Sequence, residues 1–511
     1  MRCRFLPLAL CIGLVAGVAS AQEPTFHFEG PVPEGSDTFF FLEFDVPEGT
    51  AEIEVVHAHV PAQTDNVLDW GIDDPNGSRG WGGGNRENAI VGVEAASRSY
   101  IPGPMPAGMW RVAVGKAKIV PGEPAGYSVD VTLRGSPTLE PQSRAPYRDP
   151  GALNTEERWY AGDFHVHARE SGDVRDTLTI DEALDFAETQ GLDFVLLAEH
   201  NTISGFTLYK GAQERNPNVL IIPGQEFTTY GGHGNAIGAT EAVAYTVGTD
   251  GYTIADAIDL FHQQDALFSI NHPRHPLPEC RGCAWDFEVD PATIDAVEVQ
   301  TGILPAVDFW EDLIETGSHA AAVGGSDDHR AGQAEPPVER PIGIPTTMVY
   351  TTELSVGAIL EGIQSGRTVV KVFGPDGPML ETELSGERIG NTVFADTATL
   401  SVVVTGANGQ SLRVIKNREV LQTVPISSDS FEHENTVEAP ADGEDRYRHE
   451  VVEGRTRQTV GSYVWLRKGA SSPDGCSCRV PGLPSGDGAL LFSLLFLCGW
   501  WLLRRRTAGG A

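Results

Sequence analysis

Three things are scarce in this 511-residue chain: positive charge, cysteine and long apolar runs. Lysine and arginine number 36 against 71 acidic residues, a net charge of −35. A nucleic-acid-binding chain carries a basic patch, so this balance argues against that role. An anionic substrate would need metals or local arginines to offset the repulsion. Only seven cysteines occur, and Cys280 and Cys283 form a CxxC without a second pair at zinc-site spacing. In an exported chain the expectation is a small loop disulfide between them. No G-x-S-x-G nucleophile elbow is present, which weakens a serine-hydrolase reading. Hydrophobic content is an ordinary 41%, so packed cores rather than general disorder are expected.

The apolar runs that do occur sit at the two ends. Arg2 and Arg4 precede Phe5 to Val18, and Ala19-Ser20-Ala21 forms an A-x-A cleavage pattern. Residues 1–21 therefore read as a signal peptide, and the mature chain is expected outside the cytoplasm. Ala489 to Leu503 is free of charge and runs into Arg504-Arg505-Arg506. This is shorter than the roughly 17–25 residues a span needs, so flanking residues must help it cross. The arginines would then hold its end in the cytoplasm. Gly475-Cys476-Ser477-Cys478 and a Cys/Pro/Gly linker over 470–488 precede the 489–511 tail. The order resembles the myxobacterial C-terminal sorting tail (MYXO-CTERM). That resemblance implies delivery to the cell surface or outer membrane, or secretion, with processing at the cysteine. The alternative is a plain C-terminal membrane anchor.

Between the ends the pattern changes twice. Residues 22–136 carry strand-like runs such as Phe39 to Val46 and Tyr127 to Leu133, separated by Gly/Pro/Asn turns, as in a small β-sandwich. They read as an accessory domain, followed by a Pro/Arg/Ser-rich linker over 137–158. Residues 159–373 alternate strands and helices. Thr179 to Glu182 has capping-box form, and Thr253 stands before Ile254, Ala257, Ile258 and Phe261 at helical spacing. The expectation is an α/β fold, a distorted (β/α)7 barrel flanked by two small all-β domains, the second over 374–469.

The chemistry-bearing residues follow the strand-like runs of the middle region. His165 and His167 share one face of a strand, because alternate side chains point the same way. Alone the pair means little, since His57 and His59 have the same spacing. Further on come Asp173, then Glu199-His200-Asn201, Gly224-Gln225-Glu226, Gly232-His233, Asn271-His272-Pro273 and Ser326-Asp327-Asp328-His329. Five separate strands thus deliver His, Asp or Glu at their C-terminal ends, which converge on one face of a barrel. Mixed His/carboxylate donors suit Zn, Mn or Fe. His262 and His319 lie in helical patterns and read as structural, and His275 as loop.

These ordered motifs, from Gly162-Asp163-Phe164-His165-Val166-His167 to Ser326-Asp327-Asp328-His329, resemble the PHP (polymerase and histidinol phosphatase) metal-dependent hydrolases. The exported carbaryl-hydrolase-like (CehA/McbA) branch is the nearer resemblance. It implies two or three divalent metals. His165, His167, Glu226 and Asp327 would hold one. Glu226 would bridge to a second, completed by His233 and His272. Asp173, His200 and His329 would hold the third. Two departures stand out: Glu199 replaces the family's usual Asp, and the segment after His167 differs, so a two-metal site stays open. The implied activity is hydrolysis of a small-molecule phosphoester, or of a carboxyl or carbamate ester, by a hydroxide generated at the metals. Arg330 is the candidate contact for an anionic substrate. A different class of reading also stands: a surface binding protein with a metal-stabilised, inactive barrel.

Overall fold

The computed structural model describes residues 25–175, 178–276, 282–333 and 340–469. The signal peptide, Cys280, the 470–488 linker and the 489–511 tail lie outside the described residues. No described helix is long and apolar enough to cross a membrane.

The N-terminal region is built from two four-stranded antiparallel sheets. One orders Phe26–Pro31, Gly126–Arg134, Glu52–Val60 and Ala89–Gly92. The other orders Phe39–Val46, Gly108–Lys118, Val67–Asp74 and Gly77–Gly83. Alternation along the strands buries Phe44, Ile53, Trp110, Val112 and Val131 in a common core. Each such side chain contributes on the order of 1.5–3 kcal/mol when fully buried.

The middle region departs from the expected distorted (β/α)7 barrel, which is not evident among the described residues. Its strands divide between two sheets, and the described residues contain five α-helices. Leu220–Ile222, Phe194–Leu197 and Arg158–Val166 run parallel, but Thr346–Thr351 then joins Arg158–Val166 antiparallel. In the second sheet Gly224–Thr229 and Gly232–Ile237 form a hairpin, followed antiparallel by Leu267–Ile270 and then by parallel Ala296–Thr301 and Ala321–Gly325. The physical reason is local. Two residues, Tyr230 and Gly231, separate the hairpin strands, too few for the crossover of a dozen or more that a parallel pair requires. Single bridges, Val166 to Asp328 and His200 to Glu226, join the two sheets where the histidines lie.

The helices follow the sequence pattern closely. Ile180–Thr189 starts on the Thr179/Glu182 capping box and buries Ile180, Ala183, Leu184 and Ala187. Ile254–His262 starts on a second capping box, Thr253 with Asp256. His262 donates its Nε2–H to the Asp295 carboxylate at 2.9 Å. His319 lies in the connector after helix Val307–Glu315 rather than in a helix, stacked on Trp465 at 3.9 Å.

Some of the C-terminal strands extend the first sheet, while Glu387–Arg388, Met379–Leu384, Thr397–Thr405 and Ser430–Glu438 form a separate antiparallel sheet. Thr368–Lys371 pairs with Thr456–Gly461, which pairs with Glu444–Glu453. A buried polar knot fastens this extension to helix Val307–Glu315. Arg448 bonds Glu311 at 2.6 Å and Glu450 at 2.8 Å, and Tyr463 donates to Glu311.

Candidate metal centre

The nine histidines and carboxylates singled out above come together where the two sheets meet, and Glu226 is their hub. Its Oε1 lies 3.4 Å from His165 Nε2, 3.2 Å from His233 Nδ1 and 3.0 Å from His272 Nε2. Its Oε2 lies 2.8 Å from His200 Nδ1 and 3.6 Å from His167 Nε2. Asp327 Oδ1 stands 3.3 Å from the Nε2 atoms of both His165 and His167. Asp173 Oδ2 is 3.1 Å from His200 Nε2 and 3.0 Å from His329 Nε2. His167 stacks between His200 and His329, with ring centroids at 4.5 and 4.2 Å.

Short strands and strained corners aim these groups. His165 projects from Arg158–Val166, and Gly325 on the adjoining strand has no side chain because a Cβ there would sit 2.3 Å from His165 Cβ. Asp327 adopts φ +58° and His272 φ +27°, the left-handed region that side-chain-bearing residues avoid. Such conformations cost on the order of 1–3 kcal/mol each and persist where the surroundings impose them, most often at functional sites.

A shell of residues that the sequence pattern did not single out orients the donors. Glu298 is fully buried and faces His165 Nδ1 at 2.9 Å. Its other oxygen accepts the His272 amide at 3.0 Å and the Thr301 hydroxyl at 2.5 Å. The Glu298 contact sets the tautomer of His165 and leaves Nε2 as the outward donor atom. Asp163 accepts the amides of His165 and Ser326, each at 3.0 Å, and that of Gly343 at 2.7 Å. Burial pushes Asp163 up to about 6, and those amides pull against it. Asn271 donates to Glu226 at 3.1 Å. The His272 Nδ1–H donates to the Cys283 carbonyl at 3.1 Å. Asp163 and Asn271 stand inside the quoted motifs, whereas Glu298 carried only a strand signal.

Glu199, where the resemblance leads one to expect aspartate, accepts the amide of Ala168 at 3.1 Å. Burial, reinforced by the neighbouring Glu170, holds its carboxyl well above the usual carboxylate range. Burial and the positive neighbours His329 and His200 press His167 down to about 3, keeping the imidazole neutral and able to act as a ligand.

The donor set fits a cation. The buried Nε2 atoms of His165, His167 and His233, and Oε2 of Glu226, have no hydrogen-bond partner. Buried ring nitrogens without partners, crowded around the carboxylates of Glu226 and Asp327, form the arrangement that a shared positive ion satisfies. Ligand atoms lie within 4.8 Å of one another in His165/His167/Asp327, His165/Glu226/His272, His167/His200/His329 and His233/His272/Cys283. In the last group Cys283 is disulfide-bonded, so its sulfur is not a thiolate donor, and Glu226 is the anionic partner of His233 and His272.

Arg330 stands outside the cluster. With Arg340, His275 and Leu304 it lines a cavity of about 220 Å³ that Asp327 and His329 also border. The ring of His275 lies 5.7 Å from that of His272.

No family model and no curated protein matches the chain. Among solved structures, a two-domain protein containing a predicted PHP-like metal-dependent phosphoesterase from Bacteroides vulgatus ATCC 8482 aligns with 64% of this chain and 99% of its own. Identity is 18% and the TM-score 0.37. The lesion-specific endonuclease EndoQ from Pyrococcus furiosus aligns with 40% of this chain and 56% of its own, at 15% identity and a TM-score of 0.29. At these scores neither likeness establishes a shared fold.

Proposed function

We propose that this chain is an exported metal-dependent hydrolase of PHP type that acts on small-molecule phosphoesters. The observation that carries the reading is the Glu226 hub, a buried carboxylate within 3.6 Å of ring nitrogens from five histidines. His165, His167, Glu226 and Asp327 would hold one metal. Glu226, His233 and His272 would hold a second, and Asp173, His200 and His329 a third. Bound divalent cations supply an activated water and neutralise charge that develops on the ester oxygens. Glu298, Asp163 and Asn271 keep the donors in place. His165, His167 and Glu226 are almost wholly screened from solvent, which strengthens every electrostatic contact there.

Arg330 and Arg340 favour a phosphoester over a neutral ester. In a chain of net charge −35, two guanidinium groups beside the centre would receive an anionic substrate. The A-x-A pattern near the start and the tail that resembles a sorting signal support activity at the cell surface or outside the cell, and the 22–136 and 374–469 regions would flank the catalytic region.

Metal analysis with hydrolysis of aryl phosphate and aryl carboxyl- and carbamate-ester panels tests the reading. The expected result is two or more metal equivalents, with aryl phosphate turnover that EDTA abolishes and Zn²⁺ or Mn²⁺ restores. His165→Ala should lose metal and turnover together. Preference for the carboxyl or carbamate esters would reassign the substrate. Metal-loaded protein inert on every panel would favour a binding protein.

A further inference from the structure

The centre opens into a second cleft that metal binding does not account for. It has a volume of about 390 Å³ and is lined by Asp69, Trp81 and Asn85 from the N-terminal sheets and by Asp173, Thr228 and Tyr230 from the centre. Among the described residues it shares no lining residue with the arginine-bearing cavity, and neither lysine nor arginine lines it.

This cleft is built rather than incidental. The loop carrying Asp173 rests directly on the N-terminal backbone: a Cβ on Gly172 would lie 2.5 Å from the Gly82 carbonyl. Arg98 donates to the carbonyls of Gly172 and Val174, on either side of Asp173. Tyr230 stacks on Phe39 at 5.4 Å, and its hydroxyl donates to Asp69 at 2.8 Å. Among the described residues Tyr230 is the donor to Asp69, and the buried carboxylate keeps further acceptor capacity. The Gly82-Gly83-Gly84 run leaves the approach to that carboxylate open, since a Cβ on Gly84 would stand 3.2 Å from Asp69 Oδ1.

The chemistry selects one kind of occupant. A second anionic group would meet the carboxylates of Asp69 and Asp173, with His200 and His233 beside them but no lysine or arginine among the described lining residues. A quaternary ammonium is recognised by exposed aromatic faces. Trp81 is only 8% exposed, and Gly83 lies against its ring, where a Cβ would be at 3.0 Å. Hydroxyl groups suit the remaining acceptors, because each can donate to a carboxylate at little desolvation cost.

We propose that this cleft binds an uncharged, hydroxyl-bearing arm of a phosphodiester substrate, with Asp69 as the residue that accepts its hydrogen bonds. The proposal rests on the phosphoesterase reading and makes the N-terminal sheets part of the active site. In the reaction, water forms the new P–O bond and the bond to the other alcohol breaks. One water proton ends on that alcohol, and the hydroxylated arm stays esterified.

The test uses the metal-loaded full-length protein and three diesters that release p-nitrophenol, with methyl, glyceryl or 2-aminoethyl as the retained arm. The wild type should prefer glyceryl over methyl by about tenfold or more in kcat/KM, the order expected of a hydrogen bond to a charged group. Asp69→Asn keeps the Tyr230 contact and should cut that preference to within threefold, chiefly by lowering kcat/KM for the glyceryl diester. Gly84→Leu, which keeps the Asp69 carboxylate but obstructs the approach to it, should do the same. If both variants retain the glyceryl preference while turning over the methyl ester normally, the subsite is wrong and the hydrolase reading stands. Preference for the 2-aminoethyl arm would overturn the hydroxyl assignment. No turnover of any diester by the metal-loaded wild type would overturn the phosphoesterase reading and this subsite with it.

Discussion

Replacing Glu298 with glutamine separates metal binding from fold more cleanly than any ligand deletion. The change is isosteric and lies behind the donors. Glu298 holds His165 Nδ1 at 2.9 Å with one oxygen and the His272 amide at 3.0 Å with the other. A glutamine has one oxygen and one NH₂ for these two positions. If the NH₂ faces His165, Nδ1 must accept, the proton moves to Nε2 and the metal-facing lone pair is lost. If it faces His272, two donors oppose each other in a buried site, at about 1–3 kcal/mol. Either orientation should weaken metal binding by about 10–100-fold, the usual effect of losing a carboxylate behind a histidine ligand. That is about 1.4–2.7 kcal/mol in binding free energy. Competition between the protein and a fluorescent zinc chelator measures it directly, without reference to turnover. Thermal melts of the metal-free forms check that the fold is retained. Metal affinity within twofold of wild type would refute the reasoning, because His165 would then not depend on Glu298 for its tautomer.

Three further changes probe the surroundings. Arg98→Ala frees the carbonyls of Gly172 and Val174 and should release the metal equivalent held by Asp173, His200 and His329 before the others, read by metal stoichiometry after dialysis. Glu311→Ala leaves the buried Arg448 short of one carboxylate and should cost about 3 kcal/mol in urea unfolding, as expected for breaking a buried pair. His449 is pressed down to about 3 by burial, with His433 and Arg448 adding to the effect, and Thr382 bonds its Nδ1 at 2.9 Å. The unfolded imidazole protonates near 6.5, so below that pH the unfolded state binds the extra proton and stability falls as the pH drops. By pH 5 this should amount to about 2 kcal/mol. The urea midpoints of wild type and His449→Gln should therefore converge between pH 7 and 5, and parallel curves would refute the assignment.

Much of the local structure was legible in the sequence. Periodicity and capping residues mark helices Ile180–Thr189 and Ile254–His262, because a capped amphipathic segment is specified by its own residues. The candidate ligands were legible because most stand at or just beyond the end of a buried strand-like run, although His165, Glu226 and His233 prove to lie within strands. His319 was misplaced because helical spacing continues past the residues that remain helical. Glu298 was hidden for a related reason: it stands within a strand, in Ala296–Thr301, where one carboxylate in an apolar run gives no hint of the partners opposite.

By itself the sequence determined the helices, most strand positions, the acidic balance and the set of histidines and carboxylates, all of which depend on residues near one another in the chain. Tertiary structure decided the rest. It split the expected barrel into two sheets, because the two-residue turn at Tyr230-Gly231 sends the chain back antiparallel. It also made Glu226 the hub, put Glu298 behind His165 and set the N-terminal sheets against the loop of Asp173. Those relations join residues tens to more than a hundred positions apart, and only the packing of the folded chain brings them within a few ångströms.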